Sequence, residues 1–138
     1  MTRSTEAMIL RALVQTVRAN TSLYSQLSGG IHEGNAPRGT AYPFATIDLV
    51  AAPVLDDWTG RQIQSDWDVV VWHEQQVEAS NLDSALMNVI EDNLAAVAGQ
   101  DTLITRRIAG IRLPEVTEEG KRLYRIGGTY RIWTDQPL

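Results

Sequence analysis

The sequence has no cysteine, a single lysine, one phenylalanine and two histidines. Without cysteine there is no disulfide framework, no thiolate metal site and no cysteine nucleophile, so stability rests on packing alone. No apolar run approaches the roughly 18 to 20 residues of a membrane span, and the N-terminus, with Arg3 and then Glu6, lacks a signal-peptide core. The expectation is a protein made and kept in a cytoplasm, with no membrane partner.

What is present is ordinary for a folded domain. The 138 residues suit one compact unit, 1–138, with 43% hydrophobic and 21% charged side chains. The net charge of -5 counts against a protein that grips nucleic acid by neutralising phosphates. That charge is unevenly spread: residues 1–27 sum to +2, residues 28–100 to -9, and residues 101–138 to +2. Eleven of the twelve basic residues are arginine, the cation best suited to bidentate interface pairs.

Hydrophobic spacing predicts an amphipathic helix over 4–19, burying the face of Ile9, Leu10, Leu13, Val14 and Val17. A short turn holding Leu23, Tyr24 and Leu27 ends at Gly29 and Gly30. The open loop from Glu33 to Tyr42, with Gly34, Pro37 and Gly39, reads as a mobile segment or a contact arm. A strand over 44–50 stops at Pro53, a turn spans Asp56 to Gly60, and a long strand over 61–72 alternates Ile63, Ser65, Trp67, Val69 and Val71 with Gln62, Gln64, Asp66, Asp68, Val70 and Trp72. A second helix over 80–98 ends at Gly99. A strand from Thr102 stops at Pro114, a turn at Glu118, Glu119 and Gly120 follows, and the last strand runs from Lys121 to Trp133. Residues 135–138 read as a flexible tail.

The order helix, hairpin, helix, hairpin implies an α+β fold, with an antiparallel or mixed four- to five-stranded sheet covered on one face by two main helices. The other face would carry Asp66 and Asp68 from one hairpin and Arg125 and Arg131 from the other.

Catalytic signals are poor. His73 and Glu74 begin like a zinc-protease helix, but Val77 stands where the second histidine is needed. Ser65 and Asp66 point to opposite faces of a strand, which dismantles a serine triad with His73. The pairs Asp56–Asp57 and Glu118–Glu119 sit in turns where acidic residues are simply hydrated. Gly127 and Gly128 match no phosphate loop and mark a bulge or a close approach. No cofactor or metal is expected. Trp58 in a charged turn and Trp133 near the C-terminus, together with the arginines, instead have the composition of contact hot spots.

The order of elements, with Gly29-Gly30-Ile31, Tyr42-Pro43-Phe44-Ala45-Thr46-Ile47, Asp56-Asp57-Trp58 and the strand ending Val69-Val70-Val71-Trp72, resembles the tail-terminator or tail-completion (head-to-tail joining) proteins of long-tailed bacteriophages. The resemblance implies a structural virion protein and no enzyme. It implies a ring, commonly of six copies, that caps the tail tube, docks on the head connector and passes the genome through its channel without specific binding. Its partners are then copies of itself, the tail tube protein and the head-completion or connector protein. Candidate contacts are Arg38, Tyr42, Asp56, Asp57, Trp58, Arg106, Arg107, Arg125, Arg131 and Trp133. Asp66 and Asp68 are candidates to face the lumen, because a channel for sliding DNA should not grip phosphate. Acidic residues 61–100 of one copy beside basic residues 106–131 of the next would suit a rotationally symmetric interface. Other readings are another neck or tail-tube morphogenetic protein, or a small soluble α+β binding domain or enzyme.

Overall fold

The computed structural model describes residues 5–51, 54–56, 61–98, 104–116 and 120–136. Trp58, Asp57, Pro53, Gly99, Thr102, the Glu118–Glu119 turn and residues 137–138 lie outside them. The elements are α1 (Thr5–Ala19), α2 (Thr21–Tyr24), β1 (Ile31–Glu33), β2 (Phe44–Ala51), β3 (Val54–Asp56), β4 (Arg61–His73), α3 (Gln76–Ala98), β5 (Ile104–Val116) and β6 (Arg122–Gln136).

The sheet runs β1-β2-β4-β6-β5, and β3 pairs with the far end of β4 beyond β2, so the wall is five strands wide. All pairs are antiparallel except β1 with β2. The centre is the β4–β6 pairing, continuous from Arg61 opposite Gln136 to His73 opposite Tyr124. Alternation along these two strands turns Ser65, Trp67, Val69 and Val71, with Ile126, Tyr130 and Ile132, into one buried face. Helices α1 and α3 pack on each other and complete the same core through Ile9, Leu13, Val17, Leu86, Ile90 and Leu94, all fully buried. Each such side chain contributes about 1.5–3 kcal/mol by leaving water.

The α+β mixed sheet with helices on one face matches the expectation, and several boundaries differ for identifiable reasons. The structure adds β1, whose parallel pairing with β2 absorbs Glu33 from the expected loop. It also adds β3 along the outer end of β4. Helix α3 starts at Gln76 rather than 80; its first turn carries the exposed Val77, so it lacks the apolar stripe that marks the rest. His73 closes that helix start, with its Nδ1 accepting from the Gln75 amide at 3.2 Å and its Nε2 3.0 Å from Glu78. Strand β5 passes through Pro114, which pairs with Tyr124; an edge strand accommodates a residue with no N–H to donate. Strand β6 extends to Gln136, so the first two residues of the expected tail belong to the sheet.

Glycine has a packing reason in the middle of β6. A Cβ on Gly127 would lie 2.1 Å from the Val69 carbonyl oxygen, and one on Gly128 would lie 2.1 Å from Arg107 Nε. Gly127→Ala is expected to cost about 2 kcal/mol or more, because the obstacle is backbone of the neighbouring central strand. Gly110→Ala on the edge strand meets only a flexible side-chain end at 3.9 Å and serves as the mild comparison. Urea denaturation of both variants measures the difference, and equal midpoints would show that β4 and β6 have room to part.

Candidate functional site

The sheet face opposite the helices carries most of the polar side chains singled out in the sequence. Cross-strand register puts Asp66 opposite Arg131 and Asp68 opposite Thr129. Arg131 grips Asp66 with Nε at 2.9 Å and Nη2 at 3.1 Å, a bidentate fork, and the hydrogen bond from this carboxylate raises the Arg131 pKa above its ordinary value. The Thr129 hydroxyl donates to Asp68 Oδ1 at 2.6 Å. The expected acidic and basic residues therefore do share one face, but they are partners across β4 and β6 rather than separate patches.

Toward the His73 end of β4 the same face becomes aromatic. Tyr42 stacks on Phe44 with centroids 5.4 Å apart, Phe44 stacks on Trp72 at 5.6 Å, and the Arg125 guanidinium lies 5.2 Å over the Trp72 ring. Trp72 Nε1 donates to Thr46 Oγ1 at 3.0 Å, so the indole stands fixed. The 34–43 loop is held at both ends, by the Gly34 amide on the Ile47 carbonyl and the Gly29 amide on the Pro43 carbonyl, both at 2.9 Å. Between this loop and Phe44, Thr46 and Trp72 lies an open cavity of about 300 Å³ that Arg38 also lines. These tethers fix the two ends of the loop to β2 and the segment before it.

On the helix face Arg107 reaches inward. Its guanidinium binds Asp83 at 2.8 Å, donates to the Gly127 carbonyl and lies 5.9 Å over the Tyr130 ring, while its amide donates to Glu91 at 3.0 Å. Burial lowers the Arg107 pKa, but the hydrogen bond and charge of Asp83, with Tyr130 and Glu91, outweigh it and hold the group above its ordinary value. A register shift between Arg107 and Ala109 accompanies this inward turn. Arg107, grouped with the contact residues on sequence grounds, thus has its side chain committed inside the subunit.

The remaining candidates divide between the ends of the strands. Arg38, Tyr42 and Arg125 lie at the His73 end of β4; Asp56, which pairs with Arg61, and Trp133, which pairs with Gln64, lie at the other. At about 3.3 Å per residue the thirteen residues of β4 separate these ends by roughly 40 Å. Arg106 is exposed on the outer strand β5. Sequence reasoning missed the Phe44–Trp72 pair and the bare strand edges. The first was readable, because a hairpin centred on the Asp56–Gly60 turn places Phe44 opposite Trp72, as observed.

The described residues form a two-layer α+β domain whose sheet face away from the helices carries Asp66 and Arg131 as a paired couple. The chain belongs to the tail completion protein gp17 family, whose model matches residues 11–135. It is a structural protein of the phage tail and a component of the virion. In fold it is similar to a chain of the virion of a native gene transfer agent particle, with a TM-score of 0.63 at 16% identity over 98% of this chain and 100% of that one. A search of curated proteins gives no match.

Burial pushes the Tyr130 hydroxyl pKa well up. In the unfolded chain a tyrosine releases its proton near pH 10. Tyr130 therefore has no effect on stability below about pH 10 and costs stability as pH rises above it, while the folded state withholds ionisation. Urea midpoints measured from pH 8 to 11 are expected to fall above about pH 10, and to fall less in Tyr130→Phe. Identical pH profiles would show that Tyr130 ionises freely in the fold.

Proposed function

We propose that copies of this chain form a ring, commonly of six, that stops the tail tube at its finished length, joins it to the head connector and lets DNA pass through its bore. The observation that carries this reading is the Asp66–Arg131 pair on an uncovered sheet face: charged groups cancelled in place make a wall that neither holds nor repels a passing phosphate backbone strongly. In this reading Asp66 and Asp68 face the lumen. Arg38, Tyr42 and Arg125 meet one neighbouring ring, and Asp56, Asp57, Trp58 and Trp133 meet the other. Arg106 faces the next copy, and Arg107 serves the interface through the edge strand it anchors. The protein acts by binding, with no chemical step of its own.

Complementation of a phage that lacks this chain tests the reading. Without it, tails are expected to overrun their normal length and to remain unjoined to heads; tails of normal length on filled heads would contradict the proposal and favour a different neck role. Asp66→Asn is expected to leave tail length and head joining intact while slowing DNA ejection several-fold, because Arg131 is then free to hold phosphate. Unchanged ejection kinetics would remove Asp66 from the lumen.

A further inference from the structure

Two strand edges of this subunit are bare, and they match each other. Strand β1 covers β2 only from Ala45 to Ile47, so Asp48 to Ala51 present an uncovered outer edge, and all four are exposed. The other edge is β5, thirteen residues long with no strand outside it among the described residues, although the Arg107 amide on it is taken by Glu91. Among the described residues, five of the seven exposed large hydrophobic side chains lie on these two edges: Leu49 at 41% and Val50 at 58% on β2, and Ile104 at 60%, Ile108 at 43% and Leu113 at 47% on β5. Long bare edges with exposed apolar side chains invite another strand.

The charges point the same way. Asp48 stands directly opposite Asp68 on β4, and Arg106 directly opposite Arg131 on β6, so each edge adds a charge of the same sign beside a group that already has its own partner within the sheet. Following the register across the sheet, Asp48 shares a row with Asp68, Thr129 and Ala109, and Ala51 shares one with Asp66, Arg131 and Arg106. The acidic edge segment and the basic one are therefore level with each other on opposite sides of the wall. Rotation about an axis running roughly along the strands carries one edge onto the other at that height and keeps strand direction. Since β5 runs opposite to β2, the pairing so made is antiparallel.

We infer that β5 of one copy pairs antiparallel with residues 48–51 of β2 in the next, setting Arg106 opposite Ala51 and diagonal to Asp48 two rows away, within reach of its long side chain, and covering Ile108 with Leu49 and Val50. The inference rests on the ring reading and names the contact that closes it. Such a contact is head-to-tail, so it propagates round a ring without a two-fold partner. At those rows each copy contributes four strands, which at about 4.8 Å spacing give roughly 19 Å of wall, and six copies a bore of about 37 Å between backbones before strand tilt widens it. That is roomier than a DNA duplex.

The absence of cysteine gives a clean test. Val50→Cys is combined in one chain with Ile104→Cys or with Ile108→Cys, and particles assembled from each variant are oxidised and run without reductant. The two positions lie on opposite edges of one sheet, so no bond forms within a subunit. The expected result is a ladder of covalent multimers ending in a closed species, from at least one of the two combinations. Particles in which microscopy shows the ring but the chain stays monomeric would overturn the edge pairing and leave capping intact. A chain present in particles without a ring would overturn both. As a second readout, Asp48→Arg is expected to lower the yield of joined particles about tenfold, with Arg106→Glu in the same chain recovering most of it. A double variant no better than either single one would also overturn the pairing.

Discussion

The pairing of β4 with β6 is the constraint from which the rest of the molecule is built. Thirteen consecutive residues of each strand are in register, and because side chains alternate, that single register decides what is core and what is face. Slipping it by one residue would turn Trp67, Val69 and Val71 out to solvent and drive Asp66 and Asp68 under the helices. Gly127 makes the register possible where a Cβ would strike the Val69 carbonyl oxygen of β4. Once it is set, Asp66 meets Arg131 on the open face and the helices have an apolar surface to cover.

Charge in this protein is spent in two different ways. On the open face and beneath β5, opposite charges find each other within one chain, as Asp66 with Arg131 and Asp83 with Arg107. The polarity between the acidic middle and the basic C-terminal third is thus partly satisfied inside the subunit and not, as the sequence alone suggests, wholly between neighbours. At the two sheet edges a further charge of the same sign is added beside such groups, Asp48 opposite Asp68 and Arg106 opposite Arg131. The Arg107 cluster links the two regimes. By turning its side chain inward to Asp83 and the Gly127 carbonyl it ties β5 to helix and sheet at the shifted register. An edge strand held in this way presents a fixed template rather than a fraying one.

Much of this was legible in the residues. Alternation in 61–72 and in the last strand correctly divided core from face, and the glycine pair read as a close approach is one. The layered fold followed from the order of elements, and the family followed from that order together with the Tyr42–Ile47 and Val69–Trp72 segments. The illegible parts have physical causes. A three-residue strand such as β1 carries no period to detect, and a helix start with Val77 turned to solvent breaks the apolar stripe. Proline usually ends a strand, and only the knowledge that β5 is an edge makes Pro114 acceptable. The inward course of Arg107 depends on a bulge, and the bare edges depend on strand order; neither is a local property of sequence.

The measurement that bears most directly on the central claim is cryo-electron microscopy of purified tail tubes incubated with the purified chain. The account predicts a single closed ring at one end of each tube, its wall a continuous sheet with strands running roughly along the tube axis and Asp66 on the inner surface. Tubes with no added density at either end, or the chain bound along their length, would contradict it.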